Sequence, residues 1–232
     1  MTENLPQFIS IIFILTTFLT VGFLFYAIRQ TVFDTAAAKI VFFLIPFWLF
    51  FQAMISLGGF YQNTSIIPPR LPLFAVLPAL LLIISLFIFA RTSFIEPLPL
   101  KVLTLLHIVR IPVELVLYWL AEHKTIPQIM TFAGWNFDIL SGILAPIVFW
   151  LAFRNGKVNR KLLIAWNILG LALLINIVSI AILSLQSPIQ RVAFEQPNRA
   201  VLYFPFIWLP AIVVPIVLFS HLASLWILFK KK

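Results

Sequence analysis

Long apolar stretches recur along this 232-residue chain and limit what it can fold into. A helix needs about 20 mainly apolar residues to cross the hydrocarbon core of a bilayer. Hydrophobic residues make up 62% of the sequence and charged residues 10%, which is too little polar sequence to cover a water-soluble domain. The sequence therefore predicts an all-α integral membrane protein, a bundle of seven transmembrane helices. The predicted spans are residues 5–28, 38–58, 71–90, 100–121, 132–153, 162–185 and 203–229.

Basic residues predict the orientation of the bundle. Eleven of them lie in the loops after the first, third and fifth spans and in the C-terminal tail, and four lie in the other loops. Because basic loops stay in the cytoplasm, we expect an outside N-terminus, a cytoplasmic C-terminus and a plasma membrane location, the inner membrane of a bacterium. Residues 1–232 are expected to form a single polytopic domain. The net charge of +9 fits lipid headgroups, and no nucleic-acid partner is expected.

Two parts of the sequence resemble each other in outline. "LPQFIS" opens the first span and "IPQIMT" precedes the fifth, while "PPRLPLFAVLPALLLI" enters the third and "PNRAVLYFPFIWLPAIVV" enters the seventh. This pattern indicates a 3+1+3 parallel repeat with the fourth span between the halves. The Pro-Gln pairs and the outside N-terminus resemble the SWEET and PQ-loop sugar transporters. That resemblance implies a fourth span that is a peripheral linker.

The fourth span carries a polar face. At 100° per residue, Thr104, His107, Arg110, Glu114 and Tyr118 fall within an arc of about 120°. A charged group at the centre of a membrane helix costs about 2.5–3.5 kcal/mol on insertion scales. This face is therefore expected to meet protein or water and not lipid.

Polar residues of other spans are expected at matching depths. Counting from the span ends places Asp138 level with Glu114, and Asn167 and His221 level with His107, with Asn176 nearer the midplane. Together these side chains would form a polar column through the bundle. The candidate ion- or ligand-binding residues are His107, Arg110, Glu114, Tyr118, Asp138, Asn167, Asn176 and His221.

The charges of this column indicate a function. Arg110 faces two carboxyl groups, Glu114 and Asp138, so the site is either anionic by one unit or holds a proton. Either state suits binding and transport of a small cation, protons or a small polar solute, with His107 and His221 as a cytoplasmic relay. Alternatively, Arg110 and Glu114 neutralise each other as an i, i+4 pair, and the asparagines only join helices.

The sequence argues against some functions and leaves others as alternatives. The last span lacks the lysine of retinal proteins, and the absence of cysteine excludes disulfides and thiolate metal sites, so no metal and no cofactor is predicted. An intramembrane enzyme acting on a lipid or isoprenoid, with Glu114 or Asp138 as general base, stays an alternative. So do haem held by His107 and His221, a sensor without flux, and a homo-oligomer.

Prolines and tryptophans give two further expectations. Pro210 and Pro215 should kink the last span and free the carbonyls of Phe206 and Ala211. Four tryptophans near span ends are expected in the membrane interface, namely Trp135, Trp150, Trp166 and Trp208.

Overall fold

The computed structural model describes residues 5–230 and is all-helical: helix accounts for 75% of it, and no strand forms within this range. Eight α-helices follow one another along the chain. They are α1 (Gln7–Thr31), α2 (Ala36–Leu57), α3 (Leu77–Phe89), α4 (Leu100–Leu106), α5 (Arg110–Glu122), α6 (Ile139–Phe153), α7 (Arg160–Leu183) and α8 (Val214–Lys230). Short π-helical turns precede α3 and α8, at Pro72–Val76 and Leu209–Val213, and continue directly into them.

Five helical segments are long and apolar enough to cross a membrane, which indicates a membrane protein. They are Gln7–Thr31, Ala36–Leu57, Pro72–Phe89, Arg160–Leu183 and Leu209–Lys230. The other two predicted spans differ from this pattern. One, at 100–121, is interrupted, and the other, at 132–153, contains a helix of only 15 residues.

The interruption in the fourth predicted span is a 3₁₀ turn at His107–Val109 between α4 and α5. Pro112 explains it, because proline lacks the N–H that would bond the carbonyl of Ile108 in a continuous helix. The path remains helical from Leu100 to Glu122, about 34 Å at 1.5 Å per residue. The polar face of this span therefore survives the break.

The fifth predicted span begins seven residues later than expected, at Ile139 in place of 132. Residues 123–138 form turns in which Thr125, Ile126, Met130 and Asn136 are buried in the protein. Irregular backbone of this kind is tolerated at membrane depth only where protein or water covers it. Asp138 is consequently the residue that precedes α6, and its side chain makes no capping hydrogen bond. The sequence, in contrast, predicts that Asp138 lies within the helix.

The prolines of the last span accompany a π-helical turn, and the two carbonyls that they were expected to free have hydrogen-bond partners. The Ala211 carbonyl, freed by Pro215, accepts a hydrogen bond from Trp48 Nε1 at 3.2 Å, and the Phe206 carbonyl accepts one from Leu209 N at 3.0 Å. Trp208 Nε1 donates to the Leu49 carbonyl at 3.0 Å. Two indoles therefore join α2 to the kinked segment before α8.

The tryptophans divide into two groups. Trp135 and Trp150 are exposed, as an interfacial position requires, whereas Trp166 and Trp208 are buried. The interfacial prediction is wrong for the buried pair.

The α4–α5 segment lies at the centre of the molecule. It packs against α1, α6 and α8, while α7 packs between α6 and α8. Helices α2 and α3 are peripheral, and large apolar side chains such as Phe43, Phe50 and Phe89 are exposed on them. A central fourth span is the opposite of the peripheral linker that the sugar-transporter resemblance implies.

Candidate functional site

The polar face of the fourth span points into the protein. Thr104, His107, Arg110 and Glu114 are each at most 2% exposed. Tyr118, one turn beyond Glu114, is half-buried and stacks on Phe132 with ring centroids 5.1 Å apart. The α4–α5 segment therefore carries a buried row of ionisable side chains, which the membrane would not accept on a lipid-facing surface.

Arg110 forms its ion pair with α6 and not along its own helix. Its Nε lies 3.2 Å from Asp138 Oδ2, at an angle too oblique for a hydrogen bond. Its two terminal nitrogens, Nη1 and Nη2, both donate to the carbonyl of Gly170 on α7, each at 3.3 Å. One guanidinium thus ties α5 to both α6 and α7.

Glu114 is held by an asparagine. Asn136 Nδ2 donates to Glu114 Oε1 at 2.6 Å and to the carbonyl of Met130 at 3.0 Å, and Asn136 Oδ1 accepts from the backbone N–H of Asp138 at 2.9 Å. The ion pairs among residues 5–230 are Arg110–Asp138 and Lys230–Glu96, so Glu114 has no cation within 4.0 Å there. The i, i+4 neutralisation of Glu114 by Arg110 does not occur in this structure.

The two buried histidines meet one helical turn from Arg110. His107 and His221 stack with ring centroids 3.8 Å apart and an interplanar angle of 22°. Asn167 Nδ2 donates to the Leu163 carbonyl, so its Oδ1 accepts from His221 Nδ1, at 2.9 Å. This bond fixes the proton of a neutral His221 on Nδ1 and leaves Nε2 as an acceptor. The rings of Trp166 and His107 pack edge to face, with centroids 5.0 Å apart.

Gly170 is the point where four helices meet. A Cβ added there would lie 2.5 Å from His221 Cε1 and 3.3 Å from Ser141 Oγ, and the Gly170 carbonyl is the one that Arg110 binds. Only glycine allows α5, α6, α7 and α8 to approach so closely. Gly142 plays a similar part for α6, because a Cβ there would lie 2.9 Å from Ile111 Cγ1.

Polar atoms without hydrogen-bond partners concentrate in this region. Ten buried side-chain nitrogen or oxygen atoms lack a partner among the described residues, and eight belong to the residues around Gly170 and Glu114. Native interiors leave few such atoms, so their clustering marks this region as the candidate functional site. The eight are His107 Nδ1 and Nε2, Arg110 Nε, Glu114 Oε2, Asp138 Oδ1, Ser141 Oγ, Trp166 Nε1 and His221 Nε2. We call the side chains that carry them, together with Asn136 and Asn167, the buried polar site.

One candidate residue lies elsewhere. Asn176 is exposed on α7, and its Nδ2 donates to the carbonyl of Trp135 at 2.8 Å, so it does not join the buried polar site. The depth count that placed it near the midplane could not say which face of α7 it occupies.

Several site residues escaped the sequence analysis. Asn136 precedes Asp138 by two positions and is a polar residue within the apolar predicted span 132–153. Its polarity could have identified it as a site residue. Gly170, Ser141 and Trp166 gave none, because glycine, serine and tryptophan are ordinary residues of membrane helices.

A family match covers most of this architecture. Residues 68–229 match the family described as "Domain of unknown function (DUF8737)". The chain belongs to this family. The matched range begins before α3 and includes every residue of the buried polar site, while α1 and α2 precede it. No curated protein and no solved structure matched the chain.

The buried polar site of this DUF8737 member does not suit the haem alternative. Two axial histidines point their nitrogens at one iron from opposite faces of the macrocycle. Here the His107 and His221 rings lie against each other at 3.8 Å, so no macrocycle fits between them. Within residues 5–230, no group of three or more histidine or acidic side chains is placed to hold a metal ion.

Proposed function

We propose that this protein spans the membrane seven times and uses the buried polar site to bind and move protons or a small cation across a bacterial inner membrane. The observation that carries the proposal is Glu114: its carboxyl is 1% exposed, has no cation within 4.0 Å, and has one oxygen without a partner among the described residues. A buried carboxylate without a counter-charge is costly. Binding a proton or a cation removes that cost, so Glu114 is the exchangeable position.

The surrounding charges support this assignment. Arg110 is neutralised by Asp138, which leaves the Glu114 carboxyl as the second acid facing a single guanidinium. Asn136 contacts both acidic residues, through the side chain of Glu114 and the backbone of Asp138. A change of charge at Glu114 would therefore act through Asn136 on the turn that carries Asp138.

The stacked rings of His107 and His221 supply a route for protons from the region of Arg110 toward α4. His221 Nε2 and both nitrogens of His107 have no partner among the described residues, and the rings are in contact. Imidazoles accept and release protons near neutral pH and serve as relays. In the proposed orientation, with the N-terminus outside, this stack lies on the cytoplasmic side of Glu114.

Proteoliposomes with an entrapped pH-sensitive dye test the proposal. A potassium diffusion potential should drive proton entry through the wild-type protein, and Glu114→Gln should abolish it, because glutamine keeps the shape and cannot exchange a proton. The exposed Glu122→Gln on the same helix is the matched control and should retain the flux. Each variant is first checked for a monodisperse gel-filtration profile.

Two results would overturn the proposal. One is proton or cation flux that Glu114→Gln leaves unchanged, because the residue would then be structural. The other is no flux from the wild type with turnover of added lipid that depends on Glu114, which would favour the intramembrane enzyme.

A further inference from the structure

An almost entirely apolar groove runs between α2, α3 and the segment that leads into α8. Its volume is about 290 Å³, and apolar side chains from all three segments line it, among them Val41, Leu82 and Ile212. It lies on the peripheral side of the molecule and involves none of the residues of the buried polar site. Phe47, one of its lining residues, is 51% exposed, so the groove reaches the surface of the protein.

Two prolines and two π-helical turns border this groove. Pro78 lies at the start of α3 and Pro215 at the start of α8, each just after a π-helical turn, and both prolines line the groove. Prolines and π-turns bend helices away from straight packing. Trp48 and Ala211 both line the groove, and the hydrogen bond between the Trp48 indole and the Ala211 carbonyl joins two of its walls.

One end of the groove leads to an arginine. Phe94 lines the groove and belongs to the same short helical turn as Arg91. Phe87 bridges Phe219 of the groove and Trp226, with ring centroids 6.2 and 6.1 Å apart. The Arg91 guanidinium lies 5.7 Å from the Trp226 ring, and both residues line an open pocket of about 460 Å³ together with Lys230.

The charge at this end is positive. Lys230 Nζ donates to Glu96 Oε1 at 2.6 Å, and this bond holds the pKa of Glu96 below its ordinary value, so the carboxyl is ionised at neutral pH and balances Lys230. The described ion pairs do not include Arg91, which is exposed. Arg91 also lies close enough to Glu96 to lower its pKa, so two basic side chains share one carboxylate and one positive charge remains where the groove ends, beside the Trp226 indole. Indoles of this kind are common at membrane interfaces.

We infer that the groove and Arg91 form a binding site for an anionic phospholipid, with one acyl chain along the groove and the phosphate on Arg91. The apolar lining suits a hydrocarbon chain and offers nothing to a polar solute. Moving a chain from bilayer to groove gains little, because lipid tails are as apolar as the lining. Selectivity among lipids must therefore come from the headgroup. Because the side chain at the end of the groove is the positively charged Arg91, the preferred lipid is anionic.

Brominated lipids test this inference in a protein whose exposed Trp135 and Trp150 are replaced by phenylalanine, so that these two indoles do not contribute to the quenching. Bromine then reports on the indoles that line the groove and its end, Trp48 and Trp226. The protein is reconstituted in mixtures of acyl-brominated phosphatidylglycerol or phosphatidylcholine with the unbrominated lipid. The ratio of their association constants should favour phosphatidylglycerol by about fivefold, the factor that one basic residue near the surface supplies. Arg91→Gln should bring the ratio close to one.

Controls separate this site from general surface charge. Lys157→Gln removes one exposed positive charge from the loop between α6 and α7, which lines neither the groove nor the pocket at its end, and should leave the ratio unchanged. Ala79→Phe fills the groove and should reduce the strongest component of quenching by both lipids. Equal ratios in the wild type, equal losses from Arg91→Gln and Lys157→Gln, or undiminished quenching in Ala79→Phe would each overturn the inference. Added inorganic phosphate should not compete, and competition would identify a free-phosphate site.

Discussion

At the scale of single residues, Gly170 determines how closely the helices around the buried polar site approach one another. Gly170 lets His221 approach α7 so closely that a methyl group has no room, while its carbonyl receives the guanidinium of Arg110. The position of the histidine stack and that of the arginine therefore depend on one residue without a side chain.

Gly170→Ala should destabilise the protein, because its Cβ would lie 2.5 Å from His221 Cε1. Forced overpacking of this kind costs about 1–3 kcal/mol. The matched control is Gly22→Ala in α1, where a Cβ meets nothing within 4 Å and alanine should be neutral or stabilising by about 0.5–1 kcal/mol. Unfolding in mixed micelles measures both, and an equal effect of the two substitutions would contradict the role given to Gly170.

Residue types also show what could be predicted from the sequence. Helical periodicity on one segment was sufficient to place Thr104, His107, Arg110 and Glu114 on one buried face, because the 3.6-residue repeat survives a 3₁₀ turn. Depth counting brought His221 and Asn167 to His107. The partner of Glu114 was missed, because Asn136 reaches it from irregular turns that have no period to count.

At the scale of helices, the Arg110–Asp138 pair joins α5 to the start of α6. Removing only the cation leaves a buried carboxylate without a counter-charge, which typically costs about 3–5 kcal/mol. Arg110→Leu should show that loss of unfolding free energy, and adding Asp138→Asn should recover part of it. A double-mutant cycle measures the coupling, and additive effects of the two substitutions would show that the pair does not stabilise the protein.

The π-helical turn before α8 accepts a hydrogen bond from an indole of α2. Trp48→Phe removes the donor to the Ala211 carbonyl and leaves that carbonyl unpaired, at a cost of about 1–3 kcal/mol. In a Pro215→Ala background the new N–H can bond the same carbonyl along the helix, so Trp48→Phe should cost less there. Unfolding of the four proteins in the cycle tests this, and an equal cost in both backgrounds would rule out the proposed compensation.

At the scale of the whole molecule, the number of membrane crossings depends on the region from Leu100 to Phe153. Helix from Leu100 to Glu122 is about 34 Å long, whereas α6 alone is about 22 Å, less than the roughly 30 Å of a hydrocarbon core. The buried turns before α6 fill the remaining depth in the seven-span arrangement that we propose. If neither segment crossed, five spans would remain and both ends of the chain would keep the same sides.

Single cysteines distinguish these arrangements, because the chain contains none of its own. Asn63→Cys follows α2, Glu122→Cys ends α5 and Lys157→Cys lies between α6 and α7, and all three positions are exposed. With seven spans and the N-terminus outside, a membrane-impermeant maleimide added to intact cells should label positions 63 and 122, and position 157 only after permeabilisation. If position 122, like position 157, is labelled only after permeabilisation, the protein has five spans, because the chain between α3 and α7 would then stay on the cytoplasmic side. Labelling of 157 alone in intact cells would reverse the orientation and place the histidine stack at the outer end of the buried polar site.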